Sequence, residues 1–203
     1  MRPFIVSYTP LAANTTYFAA ALTGVTGVIA TAVVSDGLAH FFTLTSGANL
    51  SGITMTLVGL DADGQAQTEA IAGPNANTVT SLKYFSRINT ITFGSTLGAS
   101  TMGVGISPVS ISPTLPVNYM QQAFSSTQMV AVTGTIDYTV QYTEGAIYDT
   151  QPSTLTWFNH ATLVTDTTSQ DGAITSPFRA LRLRVNSLTA TATISLTSIQ
   201  TRG

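Results

Sequence analysis

Apolar and polar residues alternate along much of the chain, a period of two that sends successive side chains to opposite faces of an extended strand. The clearest run is Ile136-Asp137-Tyr138-Thr139-Val140-Gln141-Tyr142-Thr143, where four apolar side chains fall on one face and four polar ones on the other. Toward the C-terminus Leu181, Leu183 and Val185 alternate with Arg182, Arg184 and Asn186, and Ala190, Ala192, Ile194 and Leu196 alternate with threonines and Ser195. These runs read as two half-buried strands joined near Asn186 to Thr189. Similar patterning predicts strands over 4–8, 31–34, 40–45, 53–60, 65–71, 84–93 and 101–106, each closed by Gly, Pro, Asn or Asp. Threonine and β-branched apolar residues favour pleated surfaces and are poorer in helices, and no amphipathic helix of useful length stands out. The expected fold is all-β, a β-sandwich or jelly roll.

The pattern lapses over 106–117, where Pro108, Pro113 and Pro116 sit among serines. Proline cannot donate to a sheet ladder and is excluded from central strands. The expected organisation is therefore two small sandwich domains in tandem, 17–107 and 118–203, joined by a linker at 108–117 and preceded by an N-terminal arm or edge strand at 1–16.

Tyr17 to Val34 carries no charge over 18 residues, near the lower limit for a membrane-spanning helix. Three threonines and two glycines interrupt it, and no cluster of Lys or Arg flanks it as orientation would require. Strands and turns, with Gly24 and Gly27 at turn positions, are the expected structure there. A signal peptide is not expected either, because Asn14-Thr15-Thr16 separates Arg2 from the apolar part.

Charge alters the picture most. Charged residues make up 8% of the chain, against about 25% in ordinary soluble domains. Thr, Ser, Asn and Gln must cover much of the surface instead, and such a surface suits packing against neighbours. Seven Lys and Arg against nine Asp and Glu are too few cations to neutralise a run of phosphates, so nucleic-acid binding is not expected. The absence of cysteine excludes disulfides, thiolate chemistry and cysteine-ligated metal centres.

Candidate chemistry is sparse. The two histidines, His40 and His160, have no His, Asp or Glu at a metal-ligand or triad-like spacing. No Gly-x-Ser-x-Gly elbow is present, and with Glu69 and Glu144 the only glutamates, a glycosidase pair would have to draw on scattered aspartates. The sequence thus points to no catalytic, cofactor-binding or metal-binding residue and to no cofactor. Asp61-Ala62-Asp63-Gly64 resembles the start of a calcium loop but lies between two strands, so a hairpin turn with Gly64 at positive φ is expected. Trp157 and Phe158, ahead of Asn159 and His160, are expected in the core of the second domain, with a sugar platform as the alternative. Asn14-Thr15-Thr16 and Asn49-Leu50-Ser51 fit the glycosylation pattern by chance. Arg179, Arg182, Arg184 and Arg202 gather in the final segment as a basic patch, either a solvated sheet face or a dock for acidic loops of a neighbouring subunit.

Taken together, these runs resemble the small β-rich virion proteins of tailed bacteriophages. In the N-terminal half the resemblance rests on Ile53-Thr-Met-Thr-Leu-Val-Gly-Leu-Asp-Ala-Asp-Gly64, on Thr68-Glu69-Ala-Ile71-Ala-Gly-Pro74-Asn75-Ala-Asn-Thr-Val79-Thr, and on Tyr84-Phe85 leading to Ile88 and Ile91. In the C-terminal half it rests on Asp137-Tyr138-Thr139-Val140-Gln141-Tyr142, Trp157-Phe158-Asn159-His160, Ala180-Leu181-Arg182-Leu183 and the closing Ile199-Gln200. The resemblance implies a non-enzymatic virion component assembled in the bacterial host cytoplasm. A capsid decoration or cement protein comes first, a neck, collar or tail-associated protein second. A receptor- or carbohydrate-binding module using Trp157, Tyr142 or Tyr148 is a further alternative. The expected partners are further copies of the chain and virion proteins such as the major capsid protein, with no nucleic acid and no membrane. The candidate subunit-interface residues are Arg2, Phe4, Ile5 and Tyr8 in the N-terminal arm, and Arg182 and Arg184 in the basic patch.

Overall fold

The Thr-, Val- and Ile-rich runs form antiparallel strands, and the chain is nearly all β. The computed structural model describes residues 3–24, 26–28, 33–120 and 125–200. The strands among them are β1 (Phe4–Tyr8), β2 (Asn14–Leu22), β3 (Thr26–Val28), β4 (Ala39–Thr45), β5 (Thr54–Leu60), β6 (Ala66–Ala72), β7 (Thr78–Phe85), β8 (Arg87–Phe93), β9 (Met102–Ile111), β10 (Leu115–Pro116), β11 (Ser126–Thr133), β12 (Ile136–Thr143), β13 (Phe158–Asn159), β14 (Gln170–Ile174), β15 (Ala180–Leu188) and β16 (Thr193–Gln200). One short 3₁₀ turn, Pro152–Thr154, accompanies them. No helix among the described residues is long and apolar enough to cross a membrane.

The chain divides into two compact units, one over 12–110 and one formed by 1–11 together with 111–203. The second is discontinuous, so the expected tandem order is corrected: the N-terminal strand belongs to the C-terminal unit. β1 pairs with β16 in unbroken register, Phe4 opposite Ser198 and Tyr8 opposite Ile194. Residues 108–117 are not a free linker. β9 continues through Pro108 to Ile111, and β10 pairs with β15 at Leu115 and Pro116. Between them Ser112 donates its N–H to the Leu183 carbonyl at 2.8 Å, and its hydroxyl accepts the Leu183 N–H at 2.9 Å. A side-chain oxygen thus meets a ladder donor where the prolines interrupt the main-chain pattern.

In the 12–110 unit, β3, β8, β5 and β6 form one sheet, while β9, β4 and β7 run side by side with β2 laid on β9. The core centres on Phe42, whose ring stacks on Phe18 at 4.7 Å and meets Phe85 edge-on at 5.6 Å. Phe42 is fully buried, which contributes roughly 1.5–3 kcal/mol. Residues 84–93, expected as one strand, are two. The chain changes sheets at Ser86, whose N–H donates to the Leu60 carbonyl at 3.0 Å. Gly24 does take a positive φ of 87°, but Gly27 lies inside β3 opposite Ile91 rather than in a turn. Gly105 is required by proximity: a Cβ there would lie 1.9 Å from the Asn14 carbonyl oxygen, where β2 crosses β9. The predicted strand at 31–34 lies outside the described residues over 31–32, and only an isolated bridge at Val33 is present.

In the discontinuous unit, β1, β16, β11 and β14 form a four-stranded sheet, and β13, β12 and β15 run in order with β10 on β15. Although β15 and β16 are consecutive, they lie in different sheets. Tyr138, Val140, Leu181, Leu183 and Val185 face the buried side with Ile194 and Leu196.

Candidate functional site

The polar face of β12 departs most from the alternating pattern, because it too is buried. Thr139, Gln141 and Thr143 are covered, and each is hydrogen-bonded, as a buried polar group must be. The Thr139 hydroxyl oxygen accepts the Thr165 N–H at 3.1 Å and the Asn186 amide at 2.9 Å. The Thr143 hydroxyl donates to the Thr156 carbonyl at 2.8 Å and accepts the Gly145 N–H at 3.1 Å. Asn159, Gln141 and Arg182 share one row across β13, β12 and β15. Arg182 Nε donates to Gln141 Oε1 at 2.7 Å, and Gln141 Nε2 donates to Asn159 Oδ1 at 2.8 Å. The Arg182 guanidinium carbon lies 4.2 Å from the Trp157 ring centroid, within cation–π range. Arg182 is therefore spent inside its own unit and is no bare docking cation. Arg179 lies similarly over Tyr119, at 4.8 Å. Arg184 is half-buried on the same face as Arg182, its Nε lacking a partner among the described residues. Arg2 and Arg202 lie outside the described residues.

Trp157 and Phe158 do not anchor a core. Trp157 is half-buried, with its indole N–H donated to the Pro152 carbonyl at 3.0 Å, and Phe158 is exposed beside Tyr142, 5.7 Å between centroids. A two-residue strand at the sheet edge has too little neighbouring sheet to enclose them. Tyr148 is exposed as well.

Both histidines are buried, and His40 has an acidic partner, Asp36, that the sequence reading did not single out. His40 Nδ1 donates to the Ser107 carbonyl at 2.7 Å, and its Nε2 meets Asp36 Oδ2 at 2.9 Å. Asp36 lies four residues earlier in an Asp-Gly turn, a separation natural to a helix pair but reached here by folding the loop back. With both side chains at or below 1% exposure, the pair fastens that loop to β9 and meets no solvent-borne substrate. His160 accepts at Nδ1 the N–H groups of Thr162 and Leu163, at 3.1 and 3.2 Å. Its Nε2 has no partner among the described residues, and burial lowers its pKa. Glu69, for which the sequence pattern suggested no partner, turns inward from β6. Its two carboxylate oxygens accept the N–H groups of Leu82 and Lys83 at 2.7 and 2.9 Å. No group of three or more His, Asp or Glu among the described residues could hold a metal ion.

Asp61–Gly64 forms the hairpin turn between β5 and β6, with Gly64 at φ 75°. Asp61 Oδ1 accepts the N–H groups of Asp63 and Gln65 at 2.9 and 2.8 Å, which explains an acidic residue there without a cation. Asn14 and Asn49 each accept the N–H two residues on, from Thr16 and Ser51, as local turn-makers.

The remaining feature is the outward face of the sheet β1-β16-β11-β14. Register puts Ile5, Thr197, Met129 and Asp171 in one row, and Ile199 follows on the same face. Ile5 is 61% exposed, Met129 48% and Ile199 40%. Asp171 is the only charged residue in these four strands. Phe4, on the opposite face of β1, is 46% exposed. Tyr8 is half-buried, and burial raises its phenol pKa despite a hydrogen bond with Ser112. Of the predicted interface residues, Phe4, Ile5 and Tyr8 thus share this sheet, while Arg182 and Arg184 occupy β15. No protein-family model matches the chain, and no curated protein matches its sequence.

Proposed function

We propose that this chain is a non-enzymatic structural component of a tailed-phage particle, first of all a capsid decoration or cement protein. The observation that carries the reading is the outer face of the four-stranded sheet, where Ile5, Met129 and Ile199 stand exposed and Asp171 is the only charged residue within the four strands. Exposed apolar surface mixed with hydroxyls, and depleted of charge, is the chemistry of an interface core. It agrees with the resemblance to virion proteins noted in the sequence. The titratable groups support the same reading: Asp36, His40, Glu69 and His160 are engaged in holding loops and strands.

The test is co-sedimentation of the purified protein with empty capsids and, separately, with isolated tails of the cognate phage. Binding to capsids supports decoration. Binding to tails alone moves the assignment to the neck or tail, and binding to neither overturns it.

A second reading, a receptor- or carbohydrate-binding module, is favoured by exposed Phe158, adjacent in sequence to half-buried Trp157, and by exposed Tyr148. Because Trp157 is the only tryptophan, glycan titrations followed by its fluorescence distinguish this reading: a saturable shift supports it and a flat response removes it.

A further inference from the structure

We infer that β1 is a self-pairing edge, through which two copies of this chain join their four-stranded sheets across a two-fold axis at Val6. This inference concerns solution assembly and stands or falls apart from the virion reading.

A free sheet edge presents unpaired main-chain N–H and C=O groups, and native proteins blunt such edges with charges, bulges, prolines or very short strands. Other edges of these sheets carry such devices. β7 is displaced between Phe41 and Thr43 of its partner, carries Lys83, and has the Leu82 and Lys83 amides taken by Glu69. β6 carries Glu69 itself. β14 carries Asp171, and its Gly172 faces the His160 ring so closely that a Cβ would lie 2.4 Å from Cε1. β13 is only two residues long. β1 has none of these features. It is five residues of Phe, Ile, Val, Ser and Tyr, with no charge and no register shift against β16, and Pro3 and Pro10 flank the strand rather than interrupt it. Among the described residues no strand lies on its other side.

The hydrogen-bonding edge requires an extended backbone as its occupant, and the side chains specify which one. Antiparallel pairing of β1 with itself about Val6 sets Phe4 of each copy opposite Tyr8 of the other, and Ile5 opposite Ser7. Aromatic residues then face each other across the strands, a favourable cross-strand pair, and the contact is isologous, as closed dimers require. The arrangement also brings the two Ile5, Met129 and Ile199 faces into one continuous sheet surface, deepening the apolar patch available to a third body.

Sedimentation velocity of the purified full chain, from about 1 to 100 µM, is the direct test. The expected result is a monomer–dimer equilibrium. Ile5→Lys with Ser7→Lys, both on the exposed outer face, sets like charges opposite one another and weakens the dimer about tenfold or more, with the far-UV circular dichroism spectrum unchanged. Ile5→Lys with Ser7→Glu places opposite charges across the same register and restores association; only two-fold pairing about Val6 predicts that rescue. Because the chain has no cysteine, Val6→Cys provides a second readout: across an antiparallel pair the two positions lie about 5 Å apart, within disulfide reach, so mild oxidation yields a covalent dimer. A native chain that stays monomeric over the range, a dimer indifferent to Ile5→Lys with Ser7→Lys, or a Val6→Cys chain that does not cross-link overturns the inference.

Discussion

At β7 the chain bends out of register, Ser81 Oγ accepts the Phe42 N–H and donates to the Lys83 carbonyl, and Glu69 takes the next two amides. At β1 five uncharged residues run in unbroken register along β16, and among the described residues no strand lies on the other side. At β7 the 12–110 unit thus answers two main-chain donors with its own Glu69, while among the described residues the discontinuous unit leaves the β1 edge and an apolar face uncovered. Their histidines differ in the same way: both His40 nitrogens meet oxygens, whereas His160 Nε2 meets none among the described residues. A satisfied edge adds to a unit's own stability, and an unsatisfied one gains only when something else completes it.

The largest expected effect sharpens the view that the 12–110 unit is stabilised from within. Phe42→Ala removes the ring that joins Phe18 and Phe85 and should cost about 3–5 kcal/mol in urea unfolding. A loss under about 1 kcal/mol would show that the aromatic cluster is not the centre of that core.

Glu69→Ala acts on the guarded edge itself. Two N–H groups lose a charged acceptor, and a destabilisation of about 3 kcal/mol is expected. Glu69→Gln, which keeps one acceptor oxygen, should fall between the variant and the native chain. If both substitutions are neutral, the contrast between β7 and β1 loses its energetic basis.

Arg182→Ala probes the discontinuous unit, where the guanidinium rests on Trp157 and Gln141. About 1 kcal/mol should be lost, accompanied by a red shift of the tryptophan emission as the ring gains water. An unchanged spectrum would contradict the stacked geometry.

The smallest effect is a slope against pH. Burial holds the His160 pKa below its ordinary value, so the unfolded chain binds the proton more readily. Stability from this group is complete above the ordinary histidine value of about 6.5 and is lost as pH falls through the lowered folded value. His160→Asn keeps an acceptor for the Thr162 N–H but does not titrate. The difference in unfolding free energy between native and variant should therefore favour the native chain less as pH drops from about 8 to 5. A pH-independent difference would mean that His160 contributes nothing to the acid response.

Much of the strand set was legible because alternation is a local property. Phe4–Tyr8 and Ile136–Thr143 occur with the bounds their patterns predict. Partnership is not local: nothing within Phe4–Tyr8 tells that its neighbour is β16, nearly two hundred residues away, so 1–16 was expected as an arm or edge strand ahead of both domains and not as part of the C-terminal unit. Alternation also continues across Ser86, where the backbone changes sheets, so one long strand was expected where two occur. Alternation separated the polar face of β12 from the apolar one but could not show that Thr156, Asn159 and Thr165 are brought to it by the fold. Asp36 was not singled out, and Glu69 was noted only as one of two glutamates, since their partners are a ring and two amides brought close only by the fold. Phe4 and Ile5 were marked by their apolar character at a chain end, and Arg182 by its charge, which could not show that Trp157 and Gln141 engage it.

Hydrogen–deuterium exchange of the β1 peptide as a function of protein concentration tests most directly whether this edge is left open for a partner. The outward amides of Phe4–Tyr8 should exchange rapidly in dilute solution and become protected as concentration rises, while Leu82 and Lys83 stay equally protected throughout. Protection of β1 that is already complete at the lowest concentration, or that never appears, would contradict the contrast between an edge the chain closes itself and one it leaves for a second copy.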